Sequence, residues 1–280
     1  MCIKIVTTRA AAAAWALWAL AAGCFGQSLG PGGDDAGYGA PPDLAPACVG
    51  NNDGVIAPGE LVFPIGLAIK YLTNPANTTV AVAPDGTPGP DGPEWDLTST
   101  AGEVHVLALE SVSDKWFASS FPGATYATVS DLSSGTLGVF RVAPDALLLL
   151  GFASEQPNQT LLVYDAPVAT LRLPLATGQS YVTGARIVNG TLNGLPFAST
   201  DTYQISVDAR GVAVLPFLRL PNTLRIHVEL TQALPGGVSI RRIQHLFFHE
   251  CYGELGRMVS NPGETNPSFT TAAEFRRLAL

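Results

Sequence analysis

Charge is scarce in this chain. Asp, Glu, Lys and Arg make up 14% of its 280 residues and leave a balance of −8. A nucleic-acid surface needs clustered Lys and Arg to displace phosphate counterions, so nucleic acid is excluded as a partner. Beyond the N-terminus no apolar run approaches the roughly 18–20 residues of a membrane-crossing helix, and the best of them, 146–153, is strand-sized. Catalytic signatures are missing too. There is no G-x-S-x-G, no phosphate-cradling G-x-x-x-x-G-K-[ST], no H-E-x-x-H and no C-x-x-C. Nothing pairs a nucleophile with a base, and the expectation is a protein that is not an enzyme. What is abundant is apolar residues, at 47%, together with 29 Gly and 22 Pro. That combination argues for a folded body made of many short elements between turns, and against long helices.

The N-terminus is built differently from the rest. Lys4 and Arg9 are followed by an uncharged stretch, residues 10–23, rich in Ala with Trp15 and Trp18. It is too short to span a bilayer and has the layout of an export signal. Leu20-Ala21-Ala22-Gly23-Cys24 resembles the lipobox of bacterial lipoproteins, with Ala21 standing where Leu is commonest. The resemblance implies lipidation of Cys24, which becomes the mature N-terminus, and Phe25 after it implies onward sorting to the outer membrane of a Gram-negative cell. Cleavage after Ala21, leaving Cys24 as a plain thiol, is the alternative. An acidic chain has no electrostatic attraction to anionic lipid, so the membrane is a partner through the anchor alone.

Four cysteines are present. If Cys2 leaves with the signal and Cys24 carries lipid, Cys48 and Cys251 remain in an oxidising compartment and a disulfide between them is implied. Two buried thiols or a metal pair are the other readings. The chain therefore divides into a signal peptide (1–23), a Gly/Pro/Asp-rich tether (24–46) with too little apolar content to fold, and a β-rich body (47–280).

Within the body, period-two alternation marks half-buried antiparallel strands. Tyr203, Ile205 and Val207 fall on one face of 202–208, and Leu224, Ile226, Val228 and Leu230 on one face of 224–230. Asp208-Ala-Arg-Gly211 reads as a turn between strands, and Asn193-Gly194 as a hairpin turn. Further strands are predicted at 67–72, 79–83, 103–111, 136–142, 147–153, 160–164, 181–188 and 240–248, and a helical turn near 114–117. Thr271-Ala-Ala-Glu274 is a capping box and predicts a short C-terminal helix. The segment 160–260, with its long hairpins, resembles the strongly curved antiparallel half-barrels of periplasmic lipoprotein carriers, and the whole chain resembles predicted lipoproteins of Gram-negative bacteria. The expected fold is mainly β, a large curved antiparallel sheet or half-barrel with that helix at its end.

Two constellations invite a metal. Residues 49–60 overlay a twelve-residue calcium loop, with Asn51, Asp53, the Val55 carbonyl and Glu60 as oxygen donors but Val49 where Asp is usual, so only weak Ca²⁺ binding is expected. Without calcium the segment is a surface turn, and no other cofactor is implied. His245 and His249 share a face of their predicted strand while Glu250 points away, so ligands and base do not converge. His105 and His227 read as structural. The functional expectation is an anchored, exported binding module for an apolar ligand or an envelope partner. The alternative is a structural envelope protein with no ligand.

Overall fold

The computed structural model describes residues 48–131 and 135–279, so Cys24 and the segments read as an export signal (1–23) and a tether (24–46) lie outside the described residues. Among the described residues sixteen strands form a single sheet. In chain order they are β1 (Ala68–Thr73), β2 (Val80–Ala81), β3 (Thr87–Gly89), β4 (Gly92–Asp96), β5 (Glu103–Ala108), β6 (Glu110–Ser111), β7 (Tyr126–Asp131) and β8 (Thr136–Ala143). There follow β9 (Ala146–Ser154), β10 (Leu161–Arg172), β11 (Ser180–Leu192), β12 (Leu195–Val214), β13 (Arg219–Ala233), β14 (Ser239–His249), β15 (Gly253–Ser260) and β16 (Thr271–Ala279). Their spatial order is β5-β1-β16-β15-β14-β13-β12-β11-β10-β9-β8-β7-β6. The two ends of that order, β5 and β6, are separated in the chain by Leu109 alone, so the sheet curves nearly into a barrel. Near-closure leaves little free edge for unwanted strand addition. Every neighbouring pair is antiparallel except β4, which runs parallel to the end of β12.

Alternation decides which side chains face inward. On β13, Leu224, Ile226, Val228 and Leu230 are buried and meet β12 through Val207, Ile205 and Tyr203. Asn193 and Gly194 turn the β11–β12 hairpin at φ 50° and 77°, the left-handed conformation that such a two-residue turn demands.

Two expectations fail. The predicted turn at 208–211 is the interior of one twenty-residue strand, β12, whose register shifts between Val207 and Ala209 and again between Gly211 and Ala213. Gly211 serves close approach rather than turning: a Cβ there would lie 2.1 Å from the Pro93 carbonyl oxygen. The C-terminal helix is not formed either. Residues 271–279 are β16, paired with β15, β1 and β2. A helix cap is worth about 1 kcal/mol. Sheet pairing satisfies the backbone on both sides and buries Ala272, Phe275 and Leu278, and the local signal loses. Among the described residues the helical elements are two three-residue 3₁₀ turns, Pro58–Glu60 and Ala118–Ser120.

The outer face of β13–β16 carries a second layer. Trp95 of β4 packs on Phe247 with ring centroids 5.0 Å apart and donates its indole N–H to the Pro84 carbonyl at 3.0 Å. Leu97 seats on Gly256, and Phe269 packs on His245. Among the described residues nothing covers the outer face over β10 and β11, with Val182 64% and Val188 59% exposed.

Candidate functional site

The start of the body is stapled to the β14–β15 turn. Cys48 and Cys251 form a disulfide with Cα atoms 5.5 Å apart. Around it the Cys251 N–H donates to the Glu60 carbonyl at 2.8 Å, and the Asn51 N–H donates to Glu250 Oε2 at 2.9 Å. Three side chains of the calcium reading, Asn51, Asp53 and Glu60, accept nearby backbone N–H groups. Asn51 Oδ1 accepts the Asp53 N–H at 2.9 Å, and Asp53 Oδ1 accepts the Val55 N–H at 2.7 Å. The buried Glu60 accepts the Ala57 N–H at 2.8 Å, closing a capping turn. Asn-Asp-Gly chemistry is thus used for turns at this place.

His245 and His249 do not act together. His249 Nδ1 lies 2.6 Å from the Glu250 carbonyl oxygen and its ring packs on Tyr252, while His245 Nε2 lies 2.7 Å from the Pro267 carbonyl oxygen. His105 sits 3.8 Å from Glu103 on the edge strand β5. His227 belongs to a different group from the one its sequence context suggests. It is the register partner of His245 across β13 and β14, with ring centroids 5.0 Å apart. Asp208, the extra residue of the β12 bulge, joins them: one ligand atom from each of Asp208, His227 and His245 lies within 4.8 Å of the others. Asp208 also accepts the two-pronged fork of Arg225, Nε and Nη2 each at 2.9 Å. Burial pushes His245 down to about 4 and also lowers His227, so both rings are neutral at pH 7. The signal for the histidine pair was in the hairpin: Ala233 pairs with Ser239 around Leu234-Pro-Gly-Gly-Val238, and equal steps outward bring His227 opposite His245.

The inner wall holds buried polar groups that sequence reading did not anticipate. Glu254 accepts Arg257 Nε and Nη2, both at 2.6 Å, and Tyr71 donates to the Glu254 backbone carbonyl at 3.0 Å. Burial pushes the Glu254 carboxyl up and the Arg257 fork opposes it. Further round, Tyr164 donates to Asp201 at 2.6 Å and lies 2.7 Å from the Tyr203 hydroxyl, and Gln232 donates to the other Asp201 oxygen at 3.1 Å. Burial raises Asp201 as well. The second cluster links β10, β12 and β13, and Tyr71 links β1 to β15, so these bonds join strands that are neighbours or one strand apart.

On the outside, the bare wall presents Val163, Val182 and Val188 around an Asp165–Arg186 ion pair of 2.8 Å, with Leu195 exposed at the neighbouring hairpin. Fold and geometry place the chain among mainly-β proteins with a large antiparallel, nearly closed barrel-like sheet. No protein family matches the chain, and no curated protein or solved structure is similar to it.

Proposed function

We propose that this is an exported lipoprotein, anchored in the outer membrane through lipid on Cys24, whose body is a non-enzymatic module that binds an envelope protein. The observation that carries the reading is the Cys48–Cys251 disulfide, since such bonds persist in oxidising compartments, and residues 1–23 have the layout of an export signal. The binding face is the uncovered outer wall of β10 and β11. Its valines ring the Asp165–Arg186 pair, the mixed apolar and charged character of a transient interface. The resemblance to half-barrel lipoprotein carriers favours an apolar ligand inside the sheet. Against that, the inner face already buries Glu254 with Arg257 and Asp201 with Tyr164, whereas an apolar ligand calls for a predominantly hydrophobic lining.

The test is fractionation and crosslinking in cells. Cys24→Ser should move the full chain from the membrane to the soluble fraction, and continued sedimentation with membranes would defeat the anchor. A photo-crosslinking residue at position 182 or 188 should give a discrete adduct that a crosslinker at exposed Lys70 does not. Equal labelling from all three positions would favour a structural protein with no dedicated partner.

A further inference from the structure

The geometry points to a divalent transition-metal site made by Asp208, His227 and His245, built across three adjacent strands on the outer face of the sheet. Proximity is the first observation, with a ligand atom from each residue within 4.8 Å of the others. The second, independent one is the state of His245. Its Nε2 lies 2.7 Å from the Pro267 carbonyl oxygen, which can only accept, so Nε2 carries the hydrogen. Nδ1 is then a bare lone pair, buried in a residue only 1% exposed and without a hydrogen-bond partner among the described residues. A buried acceptor left unsatisfied is costly and calls for an explanation, which a bound cation would supply. A ring whose one N–H is held by a backbone carbonyl while the other nitrogen is free is the arrangement of a metal-bound histidine and its supporting shell.

The supports are rigid. His227 and His245 are register partners on long strands, and the bulge in β12 turns Asp208 toward them, a device that recurs beside functional sites. Arg225 holds Asp208 by both oxygens, with Asp85 on its other side at 2.9 Å. A carboxylate has about four lone-pair directions and Arg225 uses two of them, so it orients Asp208 without exhausting it. Glu229, itself paired with Arg241, completes the charged groups around the histidines.

Two imidazoles and one carboxylate select a borderline cation such as Zn²⁺, with Ni²⁺ or Cu²⁺ also suited. Ca²⁺ and Mg²⁺ want six or more oxygens and are disfavoured here. Three protein ligands leave a fourth position for water or for a group brought by a partner.

Chelator-stripped full-length protein, titrated with Zn²⁺ against a chromophoric indicator in the presence of excess Ca²⁺, should bind one equivalent. Co²⁺ should give tetrahedral d–d absorption that Zn²⁺ abolishes. This spectrum is read on the wild-type chain and does not depend on any variant folding. His227→Gln, at a partly exposed position, should weaken Zn²⁺ at least tenfold, whereas His249→Ala should leave it unchanged. No Co²⁺ spectrum together with no stoichiometric Zn²⁺ uptake would overturn the site. So would binding that survives His227→Gln but is lost in His249→Ala.

Discussion

Glu254 and Arg257 are three residues apart on one strand and still share its inner face. Strict alternation would send them to opposite faces. The reason is an extra residue: Phe248 pairs with Glu254 and Phe247 with Gly256, so Leu255 is left over as a bulge between them. The carboxylate then takes both prongs of the guanidinium, with side chains 0% and 1% exposed. Arg257→Leu strands a carboxylate in the interior and should cost about 3–5 kcal/mol, measured by urea denaturation. Adding Glu254→Gln should recover part of that loss. A single-variant cost below about 1 kcal/mol would mean that water reaches the pair.

Reduction of Cys48–Cys251 frees a closed segment of 203 residues. Loss of a native disulfide generally costs about 2–5 kcal/mol, and loop closure over this length places the bond toward the upper end. Thermal melting with and without reductant should separate by several degrees. Peptide mapping without reductant should recover the two cysteines in one fragment, and an unchanged melting temperature would make the link energetically idle.

How far the fold was legible depended on which residues a strand buries. β13 and the residue 202–208 part of β12 could be read because their apolar residues alternate, and the β11–β12 turn because Asn193-Gly194 favours positive φ. β15 and β16 could not. Glu254, Arg257, Arg276 and Arg277 are buried there, and a charged residue in sequence reads as surface. Gly211 misled for a related reason, since a glycine that admits a neighbouring backbone looks the same in sequence as one that turns a chain. Counting cysteines located Cys48–Cys251. The histidine pair required the hairpin register, and Asp208 was hidden by the turn wrongly placed on it.

Gly151 is a second position where only glycine fits. It lies in β9 at φ 145°, and a Cβ would stand 2.0 Å from the Leu162 carbonyl oxygen on β10. A left-handed strain of order 1–3 kcal/mol adds to a backbone clash that breaks the ladder. Gly151→Ala should therefore lose more than about 2 kcal/mol in urea titration, while Gly194→Ala, whose Cβ meets nothing within 4 Å, should lose less. Equal costs at the two sites would mean that β9 and β10 are further apart than described.

His245 gives stability a defined dependence on pH. Its folded pKa lies at about 4 against an ordinary 6.5, because burial disfavours the charged ring. Between those values the unfolded chain holds a proton that the folded chain does not, so stability is fully present above pH 6.5 and falls as pH drops toward 4. The gap corresponds to something on the order of 3 kcal/mol. His227, also lowered by burial, acts in the same direction. Glu254 and Asp201 act in the opposite direction, since burial raises them and their folded forms keep a proton longer. A difference measurement isolates the histidine. With chelator present, the urea stability of the wild type minus that of His245→Gln should shrink steadily from pH 7 to pH 4.5. The glutamine amide can still donate to the Pro267 carbonyl, so packing is largely kept. A difference that stays constant over that range would mean that His245 titrates normally and that its ring is open to water.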